Sequence, residues 1–416
     1  MRRYAPASDA MTDATPAPER LMARPDFRAV MLAIVVTGAG QTFYFSIMPP
    51  LGRELTFSEL QIGAIISFAS FAYVFAAPIW GRLSDFWGRR PIILFGLISY
   101  VIFTTLIGLA AQAGLAGVLS AGTVFIVMVV LRVLFATTAA SMFPVIFAYV
   151  ADKTSRATRT HGYAILGAAM GFGTIIGPAA AALLGRVSLI LPFYVVSVLV
   201  IGVLVLVWRT IDHTKPPRVE NVGRRFFIRP PARLFPLLLI GAMIYASLAA
   251  MQQATGFRVQ DTQNLNAADT ATFVGIALMV SSILAVSMQA GLIQWLKWPP
   301  KRLLVVGALC GLVGGLVLTA TDSYLLIVVG AGLLGASFGM MNPAYTAALT
   351  LSVEPGEQGA VLGLNGTVQG LGFTIGPLIG GGLYQVMPTL PYWCIACFAV
   401  VSLTASLLIK MPDPAA

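Results

Sequence analysis

Charge is scarce in this chain. Lys, Arg, Asp and Glu together make 10% of its 416 residues, against about a quarter in soluble globular proteins, which excludes an ordinary water-facing surface. Three cysteines and two histidines, His161 and His213, are present, too few for a disulfide framework or a zinc cluster. Cys394 and Cys397 do form a C-x-x-C. It lies inside an apolar stretch, as Cys310 does, away from the solvent and further ligands that redox or metal chemistry requires. "GAGLLG", Gly330 to Gly335, matches G-x-G-x-x-G, yet no strand precedes it, so it is no dinucleotide loop. Without a catalytic triad, metal set or phosphate loop, the chain does not read as an enzyme. No cofactor is expected.

What the chain has in excess is apolar sequence, 58% of the residues. Twelve apolar stretches, each near the ~20 residues that cross a bilayer as a helix, fall at about 27–49, 60–80, 92–111, 118–150, 163–184, 189–208, 234–257, 271–296, 303–320, 324–351, 361–386 and 391–409. The pattern predicts an all-α polytopic membrane protein whose partner is the lipid bilayer. Residues 1–26 are polar and rich in Pro and Ala, with no short apolar core before a cleavage site, and read as a disordered tail. With the amino terminus inside, cytoplasmic segments hold 22 of the 26 Lys and Arg. Arg53, Arg186 and Arg258 fall on the opposite side, and Arg132 falls within the fourth span. This asymmetry predicts both termini in the cytoplasm and a location in the cytoplasmic membrane. It also accounts for the net charge of +10 without nucleic acid.

The chain repeats itself. A shift of 199 residues, without a gap, brings Pro144 onto Pro343, Gly167 onto Gly366, Gly171 onto Gly370, Gly177-Pro178 onto Gly376-Pro377, and Pro192-Phe193 onto Pro391-Tyr392. Two related six-helix halves follow, at 27–210 and 234–410, joined by a basic, proline-broken linker at 211–233 and ended by a tail at 411–416. Paired halves of this kind are a transporter architecture, with the binding site expected where they meet near the midplane. Glycines three and four residues apart, such as Gly173 and Gly177, let a second backbone approach closely. The prolines Pro178 and Pro377 can be carried where neighbours satisfy the freed carbonyls. Spans five and eleven are therefore expected to be packed gate helices, kinked at their prolines.

At this point the chain resembles the major facilitator superfamily, and within it the twelve-helix drug:proton antiporters. "GRLSDFWGRRP" between spans two and three matches the family's loop signature at Gly81, Leu83, Asp85, Gly88, Arg89 and Arg90. "GTIIGPAAAA", Gly173 to Ala182, matches the antiporter signature of span five, with Ala181 and Ala182 replacing its final glycines. Arg132 matches the lone intramembrane arginine of span four, followed here by Phe135-Ala136 rather than Gln-Gly. The resemblance implies two pseudo-symmetric helix bundles working by alternating access. Asp85 is placed close to the amino end of span three, where a carboxylate suits the helix dipole, and the resemblance implies that it also latches onto the end of span eleven, with Arg89 and Arg90 in a charge relay. In the second half, "LKWPPKRLL" keeps Lys301 and Arg302 but no acid, so the latch is expected to be one-sided.

In the resembled fold, spans one, four, seven and ten line the cavity. Their polar or adaptable residues here are Gln41, Tyr44, Arg132, Tyr149, Tyr245, Met251, Gln252, Met341, Asn342 and Tyr345, joined by Asn365 and Gln369 of span eleven. Aromatics, amides and methionines suit a large amphipathic ligand held in several poses. Arg132 is the single charge placed inside a span, where ionised groups cost at least ~2.5–3.5 kcal/mol. It is read either as bonded to backbone and polar side chains or as a positive pole facing the cavity. No acid is placed within a span, and Gln41 stands near where tetracycline-type relatives carry one. Asp85, Asp152, Glu59 and Asp269, all at span ends or in loops, remain as proton carriers. The expected function is export of a drug-like compound or a secreted metabolite such as a siderophore, in exchange for protons, by a monomer. An importer of organic anions or siderophores is the alternative within transport, and a non-transporting sensor the alternative outside it.

Overall fold

A computed structural model describes residues 22–212, 232–354 and 357–409. The tail assigned to 411–416, nearly all of 1–26 and most of the linker at 211–233, His213 included, lie outside the described residues. Among the described residues the chain forms twelve long helices. In order they are α1 (Pro25–Glu54), α2 (Glu59–Trp87), α3 (Arg89–Leu115), α4 (Ala121–Lys153), α5 (Arg156–Gly185), α6 (Leu191–Thr210), α7 (Phe235–Gln263), α8 (Ala267–Leu296), α9 (Pro300–Ala320), α10 (Tyr324–Leu351), α11 (Gln358–Val386) and α12 (Leu390–Leu408). Among the described residues eleven helices are long and apolar enough to cross a membrane. The twelfth, α11, is equally long at 29 residues, but its many glycines dilute its hydropathy.

Local chemistry starts these helices. Ser58 and Ser155 close capping boxes on α2 and α5, with Gln61 and Thr158 returning the bond, which satisfies donors that a helix start leaves open. Pro192 and Pro391, paired by the repeat, stand in the first turns of α6 and α12, where a missing N–H costs nothing. Pro144 acts differently. It lacks the N–H that would bond the Ala140 carbonyl, and α4 breaks between Ala139 and Met142. Its repeat partner Pro343 rides inside an unbroken α10, as Pro178 and Pro377 do in α5 and α11. A further irregularity, a π-helical turn at Met288–Leu292, interrupts α8.

The repeat is visible in the packing. A methyl on Gly177 would come within 2.4 Å of the Ala39 carbonyl of α1, and one on Gly376 within 2.7 Å of the Ala246 carbonyl of α7. Each glycine thus seats its helix on the first helix of its own half. The adjoining proline faces the other half. The Pro178 carbonyl lies against Gly275 of α8, and the Pro377 carbonyl against Gly63 of α2. Only glycine leaves room for such crossings.

These crossings hold the halves together at one end of the bundle. There Pro49 packs on Gly256, and one continuous buried cluster draws in Ile47 and Leu51 of α1, Met251 and Phe257 of α7, and Ala271 of α8. Toward the opposite end, which carries Asp85 and Lys301, the second half has a core of its own around Tyr345. Gly359, Gly363 and Gly366 of α11 meet nothing within 4 Å, whereas Gly370 and the glycines beyond it are packed. Among the described residues the halves are in contact at the Arg53 end, and the α11 glycines nearest the Asp85 end meet no neighbour.

Candidate functional site

The residues selected from sequence gather in three groups, and the structure adds a fourth. The first surrounds Arg132. The arginine is 9% exposed, its guanidinium 4.0 Å from the Tyr44 ring centroid and 4.8 Å from that of Phe135. Both contacts lie inside the first half, beside a small cavity also lined by Gly40 and Thr104. It makes no ion pair among the described residues, and its Nε has no hydrogen-bond partner. Burying an ion costs several kcal/mol even after relaxation, and a desolvated cation–π contact returns about 2 kcal/mol. Stacking therefore covers part of the cost. The hydroxyls of Tyr44 and Tyr100 are likewise buried and unpartnered.

The second group is in the other half. Tyr245 of α7 donates to Asn342 Oδ1 of α10 at 2.7 Å, and its ring meets those of Phe338 and Phe373 at centroid distances of 5.8 and 5.9 Å. Asn365 and Gln369, four residues apart on α11, continue the stripe that packs on α7 through Gly372 and Gly376, as helical spacing requires. Asn365 is half-buried, with an unpartnered Oδ1, and Gln369 is exposed. Aromatic faces and amides thus lie together where α11 loses its contact with α2. Gln252 adds an unpartnered amide oxygen on α7, and Gln41 is half-exposed on α1.

Three residues of the set are built into packing instead. Met251 is fully buried in the cluster that joins the halves. Tyr345 is fully buried with its ring against Gly241, and Met341 lies against Gly307 and lines an apolar cavity inside the second half. Tyr149 sits toward the Asp85 end. Its hydroxyl donates to Asp26 at 2.8 Å, and Arg24 pairs with the same carboxylate. The sequence division placed Asp26 in a tail, but α1 begins at Pro25 and makes it part of the first turn.

The third group is the loop signature, which is mostly helix. Asp85 stands in the last turn of α2 rather than at the amino end of α3, so the helix dipole opposes its charge. Arg89 compensates, bonding Asp85 at 2.6 Å and Asp152 of α4 at 3.0 Å. Gly88 takes φ +91 between the two helices, a conformation suited to glycine, and Gly81 lies against Pro144. Among the described residues no hydrogen bond or ion pair joins Asp85 to α11. Arg90 caps the end of α6 through the Trp208 carbonyl, and Lys301 caps α12 through the Leu407 and Ile409 carbonyls. Trp208 and Leu407 are 199 residues apart, so Arg90 and Lys301 make equivalent caps in the two halves, on backbone acceptors that favour a cation.

The fourth group was not found from sequence. Arg53, in the last turn of α1, pairs with Glu59 at 2.8 Å and reaches across to Asp261 of α7 at 2.5 Å. Gln260 also accepts from it, and its guanidinium lies 5.1 Å from the Phe257 ring centroid. Tyr384 of α11 donates to the same Asp261. Sequence division ended span seven at 257. The helix continues to Gln263, carrying Arg258 and Asp261 with it, so Arg132 is not the one charge on a spanning helix: Arg258, 8% exposed, bonds Asp322.

Comparison with known proteins agrees with this geometry. The family model described as Major Facilitator Superfamily matches residues 30–295 and 290–416. Multidrug resistance protein 2 of Bacillus subtilis (strain 168) is 23% identical over 398 residues, covering 92% of this chain and 95% of that protein. Tetracycline resistance protein, class B, of Escherichia coli is 27% identical over 380 residues, covering 87% and 89%. A bacterial homologue of the human lysosomal transporter Spinster, in an inward-facing and occupied conformation, superposes with a TM-score of 0.69 at 17% identity, covering 94% of this chain and 96% of that one. The chain is a membrane transporter, not an enzyme, and it belongs to the major facilitator superfamily.

Proposed function

We propose that this transporter exports an amphipathic organic molecule, drug-like or a secreted metabolite, across the cytoplasmic membrane in exchange for protons. The observation that carries the reading is the Tyr245, Asn342, Asn365 and Gln369 group, an aromatic and amide surface at the edge of the opening between the halves. Such a surface holds ligands by area and adjustable hydrogen bonds rather than by charge. The Asp85 end bears most of the basic residues and, by the positive-inside rule, faces the cytoplasm. The open side is then the inner one, and cargo enters from the cell. Names of relatives support the direction, since multidrug and tetracycline resistance proteins match over most of the chain.

The packing supports alternating access. The crossings at Pro178–Gly275 and Pro377–Gly63 serve as the fulcrum on which the halves rock. Closing the inner mouth brings the Asp85 end of α2 toward the start of α11, while the Arg53 bridge at the other end must release. With Gln41 unable to titrate, proton exchange falls to carboxylates at helix ends, and Glu59, Asp85, Asp152 and Asp269 are the candidates.

The test compares medium and cytosol metabolites of cells with and without the protein, together with uptake of tetracycline and a fluorescent cation by everted vesicles energised with a proton gradient. A compound retained in cells lacking the protein, or gradient-driven uptake into vesicles, is the expected result. Accumulation of an organic anion inside cells that carry the protein would replace export by import. Binding without flux of any compound would leave a sensor.

A further inference from the structure

Arg132 lacks the partner that a buried cation ordinarily has. Every acidic side chain of the described residues lies in a loop or an end turn of a helix, and none pairs with Arg132. Three donors without an acceptor lie in one neighbourhood instead. The Arg132 guanidinium lies over the Tyr44 ring, and Tyr44 and Arg132 line the same small cavity. The Tyr100 ring packs 4.8 Å from that of Phe135, on which Arg132 also stacks. Its hydroxyl stands over Gly40, another wall of the cavity, at the place a methyl would occupy. Arg132 Nε and both tyrosine hydroxyls are buried with no acceptor.

We propose that Arg132, Tyr44 and Tyr100 form a binding site for one small monovalent anion, of the halide class, within the first six-helix half. A water would accept at most two of these bonds and leave the positive charge uncompensated. A single anion accepts all three and neutralises the guanidinium, which is how buried ions are ordinarily carried. The cavity is close to the lower limit for one water, so it takes a halide only as its side chains yield slightly, and it excludes a bulky anion. The apolar wall, with Ile107 and Phe193, selects against strongly hydrated divalent anions. The site lies on α1, α3 and α4 of one half, so its occupancy does not depend on which mouth is open.

The experiment is thermal unfolding of the purified, detergent-solubilised full chain, followed while chloride replaces gluconate at constant ionic strength. A saturable rise of the midpoint with chloride, reproduced by bromide and absent with gluconate or sulfate, is expected. Arg132→Gln should abolish the dependence. Tyr100→Phe, which keeps the ring on Phe135 and so guards against a misfolded glutamine variant, should weaken apparent chloride affinity about tenfold, as loss of one charge-assisted bond does. No difference between chloride and gluconate in the wild-type protein overturns the proposal, leaving the donors to water. A rise with acetate or benzoate but not chloride also overturns it, moving the site to a carboxylate of the cargo. A chloride response unchanged in both variants places the ion elsewhere.

Discussion

A single side chain shows how burial changes the meaning of a charge. On the sequence, Arg132 is a cation in a span; in the structure it is clasped by Tyr44 and Phe135 inside one bundle. Arg132→Ala is expected to abolish transport while the protein still reaches the membrane, checked by flux alongside the amount in the membrane fraction. Unaltered flux would reduce the arginine to packing. Arg132→Lys should not rescue, because an ammonium lacks the planar face that stacks on both rings. On the other side, Tyr245→Phe removes the donor held by Asn342. It should cost about 1 kcal/mol of stability, read by thermal unfolding, and raise KM more than it lowers kcat if cargo shares that bond. Arg132 could be picked out from sequence because charge in an apolar run is conspicuous. Tyr100 could not, since an unpartnered hydroxyl is defined only by what surrounds it, and Asp26 was hidden by a helix start two residues earlier than apolarity implied.

At the scale of elements, glycine has two opposite effects along one helix. Gly177 and Gly376 touch neighbouring backbone, and Gly366 of the same α11 touches nothing. Gly177→Ala would place its methyl 2.4 Å from the Ala39 carbonyl. Such overpacking is expected to cost about 1–3 kcal/mol. Gly366→Ala should instead stabilise by about 0.5–1 kcal/mol, because a free helical glycine only adds disorder to the unfolded chain. Thermal unfolding of the two variants decides it; equal midpoints would mean that α5 does not rest on α1 through Gly177. The Gly-Pro repeat disclosed these contacts in advance because its period carries over from one half to the other. The break in α4 escaped the same logic. Pro144 and Pro343 are equivalent in sequence, yet one interrupts its helix and the other does not, so the outcome depends on neighbours rather than on proline. The π-helical turn of α8 carries no proline and left no mark in the residue pattern.

Among the described residues few polar contacts join the halves, and Arg53 supplies the most concentrated set. It binds Glu59 on its own side and Asp261, Gln260 and the Phe257 ring across the interface. Exposed pairs contribute only about 0.2–1 kcal/mol each, but a shape in equilibrium with its alternative needs no more. Losing about 1–2 kcal/mol changes such a ratio roughly 5–30-fold. Arg53→Gln should therefore shift the protein toward the state open at the Arg53 end and closed at the Asp85 end. Spin labels at Phe86 and Leu362, exposed positions on α2 and α11 at the separated end, would read the change as growth of a short-distance population. The labels need a background in which Cys310, Cys394 and Cys397 have been replaced, since all three are free thiols. Asp261→Asn should produce a smaller shift, because Arg53 keeps Gln260 and the Phe257 ring across the interface. The double variant should add little to Arg53→Gln, because both changes remove the same contact. An unchanged distance distribution in Arg53→Gln would show that the glycine crossings alone hold the outer mouth shut, and the charged bridge would then be a consequence of closure rather than a cause of it.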